Sequence, residues 1–213
     1  MRTRELAVAG AVEVTPPAFE DERGLFSPLY QEGDTPWAGG AAREPFRVAR
    51  TALSVNRAGV VRGVHYTRPE AVGTAKVVFC PAGEVLDLVV DVREGSPTFG
   101  HWDSLHLASG RPRALYCPPG VGHAFVSLAE ESVLVYLLST PYRPEDDLAV
   151  TVYDPVLELP VPRRRDALMS PRDRAAPTLA EARARGLLPP YRETGATKTA
   201  PTSETADRRR TQA

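Results

Sequence analysis

Between Phe46 and about Asp154 the chain is a succession of short apolar runs, among them "FRVARTALSV", "VVRGVHY", "AKVVFC", "EVLDLVVDV", "HAFVSL" and "SVLVYLLS". Turn-forming stretches such as "NRAG", "CPAGE", "REGSPTFG" and "CPPGVG" separate them at close intervals. Valine-rich runs this short, broken this often by glycine and proline, leave little room for helix. They predict an all-β chain, an antiparallel sandwich or barrel with its core over residues 46–154. The one good helix candidate is "TLAEARARG", where Thr178 and Glu181 make a capping box and Gly186 a stop. Residues 192–213 offer no apolar run to bury and are expected to be a disordered tail on a single domain of residues 1–191.

The balance of charge narrows the function. With 26 basic and 27 acidic residues the net charge is -1, which gives no electrostatic reason to bind nucleic acid or an anionic membrane. Two cysteines, Cys80 and Cys117, are too few for a disulfide framework, and both sit in apolar runs. They are expected to be small buried hydrophobes in a reduced, cytoplasmic protein. The opening "MRTRELAVAGAVEVTPP" has its apolar run interrupted by Glu13 and prolines, which makes a poor signal peptide, and no run reaches membrane-spanning length.

Polar residues inside the strand pattern raise the question of a site. In "VVRGVHYT", Arg62 and His65 interrupt a valine strand, so either they face water or they line a pocket. Strict alternation would put the two on opposite faces, and only a bulge at Gly63 would bring them together. Only Lys76 and Lys198 of the basic residues are lysines, so Lys76, at the head of a strand, is either specifically retained or a chance survivor on a strand edge. Asp87 shares a face with Val85 and Val89. Tyr136 shares one with Leu134 and Leu138, so its hydroxyl bonds a neighbouring backbone or enters a cavity.

Taken in order and spacing, "FEDERGLF", "NRAGVVRGVHY", "AKVV", "GEVLDLVVDVREGSPTFGHWDS", "YCPPGVGHAF", "VYLLSTPYRPEDD" and "SPRD" resemble the dTDP-4-dehydrorhamnose 3,5-epimerase family, from about Arg4 to Pro189. The "GVGHAF" run is closest to the epimerases of antibiotic deoxysugar pathways. The resemblance implies a cupin-like antiparallel barrel (jelly roll) with a few short, mainly C-terminal helices. It implies a homodimer that works without metal or organic cofactor on a dTDP-4-keto-6-deoxyhexose. The four histidines, His65, His101, His106 and His123, include no His-x-His pair of the cupin metal type, in keeping with that.

The resemblance also assigns roles. His65 becomes the base, Asp173 its supporting carboxylate, Lys76 the oxyanion stabiliser and Tyr136 the acid on the other face of the sugar. Arg62, Arg23, His123, Tyr142 and Arg172 become candidates for nucleotide or phosphate, with Phe26, Ser54 and Asp87 also at the substrate site. The segment around Arg23 would be exchanged into the neighbouring subunit's site. His101 and His106 match no functional position and are expected to be ordinary strand residues. Departures from the family pattern at Ser27, Pro28, Arg50 and Ala52 alter nucleotide contacts, from which we expect a shifted pose that favours inversion at C5 over C3. Two other functions compete: a ketoisomerase of the same fold, and a non-catalytic sugar-nucleotide sensor.

Overall fold

Strand β8 (Glu84–Val90) shows how the sequence pattern becomes architecture, because both of its faces are buried. Val85 and Val89 pack with Val78, Leu115, Leu134 and Phe125 in one cluster, while Leu88 and Val90 pack with Val64, Ala124, Val150 and Leu157 in another. A strand buried on both sides needs a layer against each face. In this computed structural model, which describes residues 1–31 and 46–192, a second sheet covers one face and the C-terminal segment the other.

The remaining strands among the described residues are β1 (Arg2–Glu5), β2 (Val12–Thr15), β3 (Phe19–Asp21), β4 (Gly24–Phe26), β5 (Arg50–Asn56), β6 (Val61–Thr67), β7 (Lys76–Ala82), β9 (Trp102–Ala108), β10 (Ala114–Cys117), β11 (Gly122–Ser127), β12 (Ser132–Leu138) and β13 (Asp147–Ala149). Six of the thirteen described strands form a sheet in the order β1-β2-β10-β7-β12-β5 and five, β8 included, another in the order β13-β6-β11-β8-β9, while β3 and β4 make a separate hairpin. Every ladder between these strands is antiparallel, as a jelly roll requires. The first sheet reaches back to residue 2, well before the core read from the sequence. The 192–213 tail lies, apart from Arg192, outside the described residues.

The expected bulge is present. His123 pairs with His65 and Phe125 with Arg62, so Ala124 alone faces both Gly63 and Val64. The extra residue turns Val64 outward with Val61 and leaves Arg62 and His65 on the inner side. Gly63 has φ +121°, and a Cβ on it would lie 2.4 Å from that of Ala124, so no other residue fits.

Two short helices follow. Helix α1 (Pro171–Arg174) is too short to show periodicity and falls among the short C-terminal helices that the resemblance implies; Ser170 caps it by accepting the Asp173 N–H, and Pro171 opens it. Helix α2 (Leu179–Ala184) has the capping box of Thr178 and Glu181, and Gly186 at φ +66° ends it. No helix among the described residues is long and apolar enough to cross a membrane. Cys80 and Cys117 are free and buried, and burial pushes both thiols up to about 11.

A buried network at Asp91 fastens the N-terminal strands to this frame. Its carboxylate accepts from Arg93 Nε (2.8 Å) and Nη2 (2.7 Å), from Ser96 and from Thr98. Arg93 and Thr98 in turn hold the backbone of Ala9. Burial pushes the Asp91 carboxyl up, but the bonds from Arg93, Ser96 and Thr98 outweigh it and hold the group below the usual carboxylate range. Its contribution is therefore fully present above an unfolded pKa of about 3.9 and is lost as pH falls through the lower folded value. Asp91→Ala is expected to cost about 3–5 kcal/mol at neutral pH, because Arg93 is left buried without its partner. Urea midpoints checked at pH 7 and below pH 4 should differ from wild type most at pH 7; an equal difference at both would rule out the carboxylate as the source.

Candidate functional site

Inside the mouth of the barrel lies a cavity of about 850 Å³ whose wall includes Arg62, His65, Lys76, His123, Tyr136 and Tyr142. Its residues come from both sheets, β6 and β11 on one side and β5, β7 and β12 on the other.

His65 stands on the bulged strand with its Nε2 2.8 Å from Asp173 Oδ1. Asp173 is almost fully buried, and α1 places it. Burial pushes its carboxyl up, but the His65 bond and charge, the Gly63 N–H and Ser170 outweigh this and hold it below the usual carboxylate range. An ionised Asp173 accepts the Nε2–H and leaves the Nδ1 lone pair as the basic atom. The glycine that bends the strand thus also anchors the carboxylate behind its histidine.

Lys76 Nζ donates to the His65 carbonyl at 3.2 Å, which sets the ammonium beside that histidine and on the cavity wall. Tyr136 meets His123 edge to face, with ring centroids 5.9 Å apart. Burial pushes its phenol well up, and a hydrogen bond with Ser54 offsets part of that. His123 has a carboxylate of its own, with Nε2 2.7 Å from Asp87 Oδ1. The arrangement offers a supported base, a cation and a protonated phenol around one space, which is what proton exchange beside a carbonyl requires.

Several sequence candidates sit elsewhere than expected. Ser54 and Asp87 stand behind the wall, bonded to Asn56 and His123, because their strands turn these short side chains toward neighbours rather than into the space. Arg172 opens on an adjoining hollow of about 600 Å³ and binds Asp147 through its side-chain oxygen (2.9 Å) and its carbonyl (2.6 Å). Arg23 pairs with Asp21 in the β3–β4 turn, Phe26 on the same hairpin is 68% exposed, and neither lines the cavity of its own chain. His101 precedes β9 rather than lying in it, and His106 pairs with Glu84 on the surface. Arg50 lies over the Tyr142 ring, 4.7 Å from its centroid. Asn56, which the sequence pattern gave no reason to single out, holds Arg62 through Oδ1 at 3.0 Å.

Comparison with known proteins agrees with the geometry. Residues 5–181 match the family described as dTDP-4-dehydrorhamnose 3,5-epimerase. The chain belongs to that family. It is 42% identical to the dTDP-4-dehydrorhamnose 3,5-epimerase of Mycolicibacterium smegmatis over 90% of this chain and 92% of that one. Among solved structures it is similar to NovW, a 4-keto-6-deoxy sugar epimerase from the novobiocin biosynthetic gene cluster of Streptomyces spheroides, with a TM-score of 0.83 at 42% identity over 90% of this chain and 94% of that one. It is also similar to ChmJ, a 3'-monoepimerase from Streptomyces bikiniensis in complex with dTDP-quinovose, with a TM-score of 0.80 at 40% identity over 87% and 92% of the two chains. The chain is accordingly an epimerase, an isomerase, and its antiparallel sheets have the jelly-roll arrangement of its solved relatives.

Proposed function

We propose that the chain epimerises a dTDP-4-keto-6-deoxyhexose by removing and returning a proton on a carbon next to the C4 ketone. The observation that carries this reading is the placement of His65, with Asp173 behind it and Lys76 and Tyr136 on the wall of the same cavity. His65 Nδ1 takes the α-proton, and Asp173 stabilises the imidazolium that results. The Lys76 ammonium stabilises the enolate oxygen, and Tyr136 returns a proton to the opposite face. The proton taken is replaced and no oxidation state changes, so each step is drawn through side chains. A ketoisomerase would move a proton between oxygen and carbon on one face and would leave Tyr136 without a task.

Arg62 and His123 face the same space and are assigned to the diphosphate, and Tyr142 to the base. Arg172 already carries Asp147, so its part in phosphate binding requires that pair to open. The exposed surface supports a homodimer. On the edge strand β5, Leu53 is 63% and Val55 59% exposed, and on the separate β3–β4 hairpin Phe19 and Phe26 also face outward. An apolar edge of this kind is normally covered, and a second copy would do so while receiving Arg23 and Phe26 at its site.

Which carbon is inverted remains the finer proposal. The preference for C5 rests on the departures at Pro28, Arg50 and Ala52 together with the "GVGHAF" run, whereas the likeness to ChmJ, a 3'-monoepimerase, favours a second reading in which C3 alone is inverted. The test is a time course of deuterium entry at each carbon of dTDP-4-keto-6-deoxyglucose, with products trapped by reduction. Deuterium at C5 ahead of C3 is the expected result. Entry at C3 alone would replace it with the second reading, and equal rates with a rhamno-configured product would refute both.

A further inference from the structure

Three threonines sit one strand step beyond the residues that face the ketone and its α-proton. Thr67 closes β6 two residues after His65, so the two share a face, and both line the cavity. Thr74 stands two residues before Lys76, and Thr140 two after Leu138, the cross-strand partner of Lys76. Pairing continues past the strand ends, where Ser139 N–H donates to Ala75 O at 3.1 Å. There Thr74 and Thr140 meet through their Oγ1 atoms at 2.6 Å. Thr74 N–H donates to Thr67 Oγ1 at 3.3 Å and joins the third hydroxyl to the pair. The three hydroxyls form one layer on the cavity wall, drawn from both sheets and about 6.8 Å along the strands from the level of His65 and Lys76.

Their own bonds do not use up this layer. Three hydroxyls carry three protons, and one of these lies between Thr74 and Thr140, whichever of the two donates. Thr67 accepts from a backbone N–H and spends none. Two O–H donors therefore have no acceptor among the described residues. Neutral donors that can also accept match a sugar hydroxyl. In a 4-keto-6-deoxyhexose C2 and C3 carry hydroxyls, and C5 carries a methyl group. C2 is the hydroxyl-bearing carbon that neither inversion touches, so a bond made there holds while a proton leaves and returns at C3 or C5. We propose that Thr67, Thr74 and Thr140 hold the C2 hydroxyl of the hexose, which makes the substrate a 2-hydroxy rather than a 2-deoxy sugar. The inference rests on the epimerase reading, which sets the ketone at Lys76 and the α-proton at His65.

The experiment measures kcat/KM for deuterium entry with dTDP-4-keto-6-deoxyglucose and with its 2-deoxy analogue, in the full-length protein. Wild type should favour the 2-hydroxy sugar about tenfold, because the analogue leaves the threonine donors unpaired. The double variant Thr74→Val/Thr140→Val and the single variant Thr67→Val delete hydroxyls with little change of shape, and should bring that ratio toward equality. Thr67→Ser and Thr140→Ser keep the hydroxyl and should hold the wild-type ratio. Binding of dTDP alone, which has no hexose, should match wild type in all of them. Equal use of the two sugars by wild type overturns the proposal even where a variant fails to fold, and so does a ratio that the valine variants leave unchanged. Weaker dTDP binding in the valine variants would give the hydroxyls to the diphosphate and overturn it as well. If wild type brings deuterium into neither sugar, the epimerase reading fails and the proposal with it.

Discussion

Deuterium entry at every ring carbon is expected to vanish in His65→Ala, with a loss of ~10²–10⁴ in rate, because this imidazole is given the only abstraction step. The geometry makes the test specific. Lys76 is held by the His65 backbone carbonyl, which the substitution leaves in place, so the ammonium keeps its position. The side chain removed also leaves Asp173, 3% exposed, without its principal partner. His65→Gln is therefore the companion variant, since its amide can still donate to that carboxylate while supplying no base. Both variants should bind dTDP alone as wild type does. Exchange near the wild-type rate in either would end the assignment of His65. A milder loss is expected for Asp173→Asn, which keeps the shape but weakens support for the imidazolium.

What could be read in the sequence follows from where the information lies. Strands β5 to β12 were legible because each is a short apolar run bounded by turn residues, although β10 and β11 are buried at every position. The two strands before Gly10 and Pro16 were not: β1 is exposed at every residue, and what defines it is its register against β2 and the Arg4–Glu13 pair. Helix α1 has four residues, too few for any periodicity, although Ser170 and Pro171 are the start signal that a longer helix would have shown. In the site, the bulge at Gly63 could be argued from parity alone. The partner of His65 could not, since Asp173 lies 108 residues away, and only the resemblance supplied it. Asn56 went unread for the same reason, because its partners Ser132 and Arg62 are brought to it by strand pairing. His123 and Asp87 were each named without being joined, because the pair spans adjacent strands.

Abstraction and inversion separate at Tyr136. If the phenol only returns the proton, Tyr136→Phe leaves His65 and Asp173 intact, and His65 can remove a proton and give it back to the face it came from. Solvent deuterium should then still enter the ring, while inverted product falls by ~10²–10⁴, the usual worth of a positioned acid. The substitution suits the question because it deletes one hydroxyl and keeps the ring against His123. Burial pushes the phenol well above its ordinary range, so at neutral pH the group is protonated and serves as a donor throughout. Inversion by the wild type should accordingly show no loss on the alkaline side attributable to this tyrosine below about pH 10, its unperturbed value. Equal loss of exchange and inversion in Tyr136→Phe would mean that the ring shapes the cavity and that another group delivers the proton.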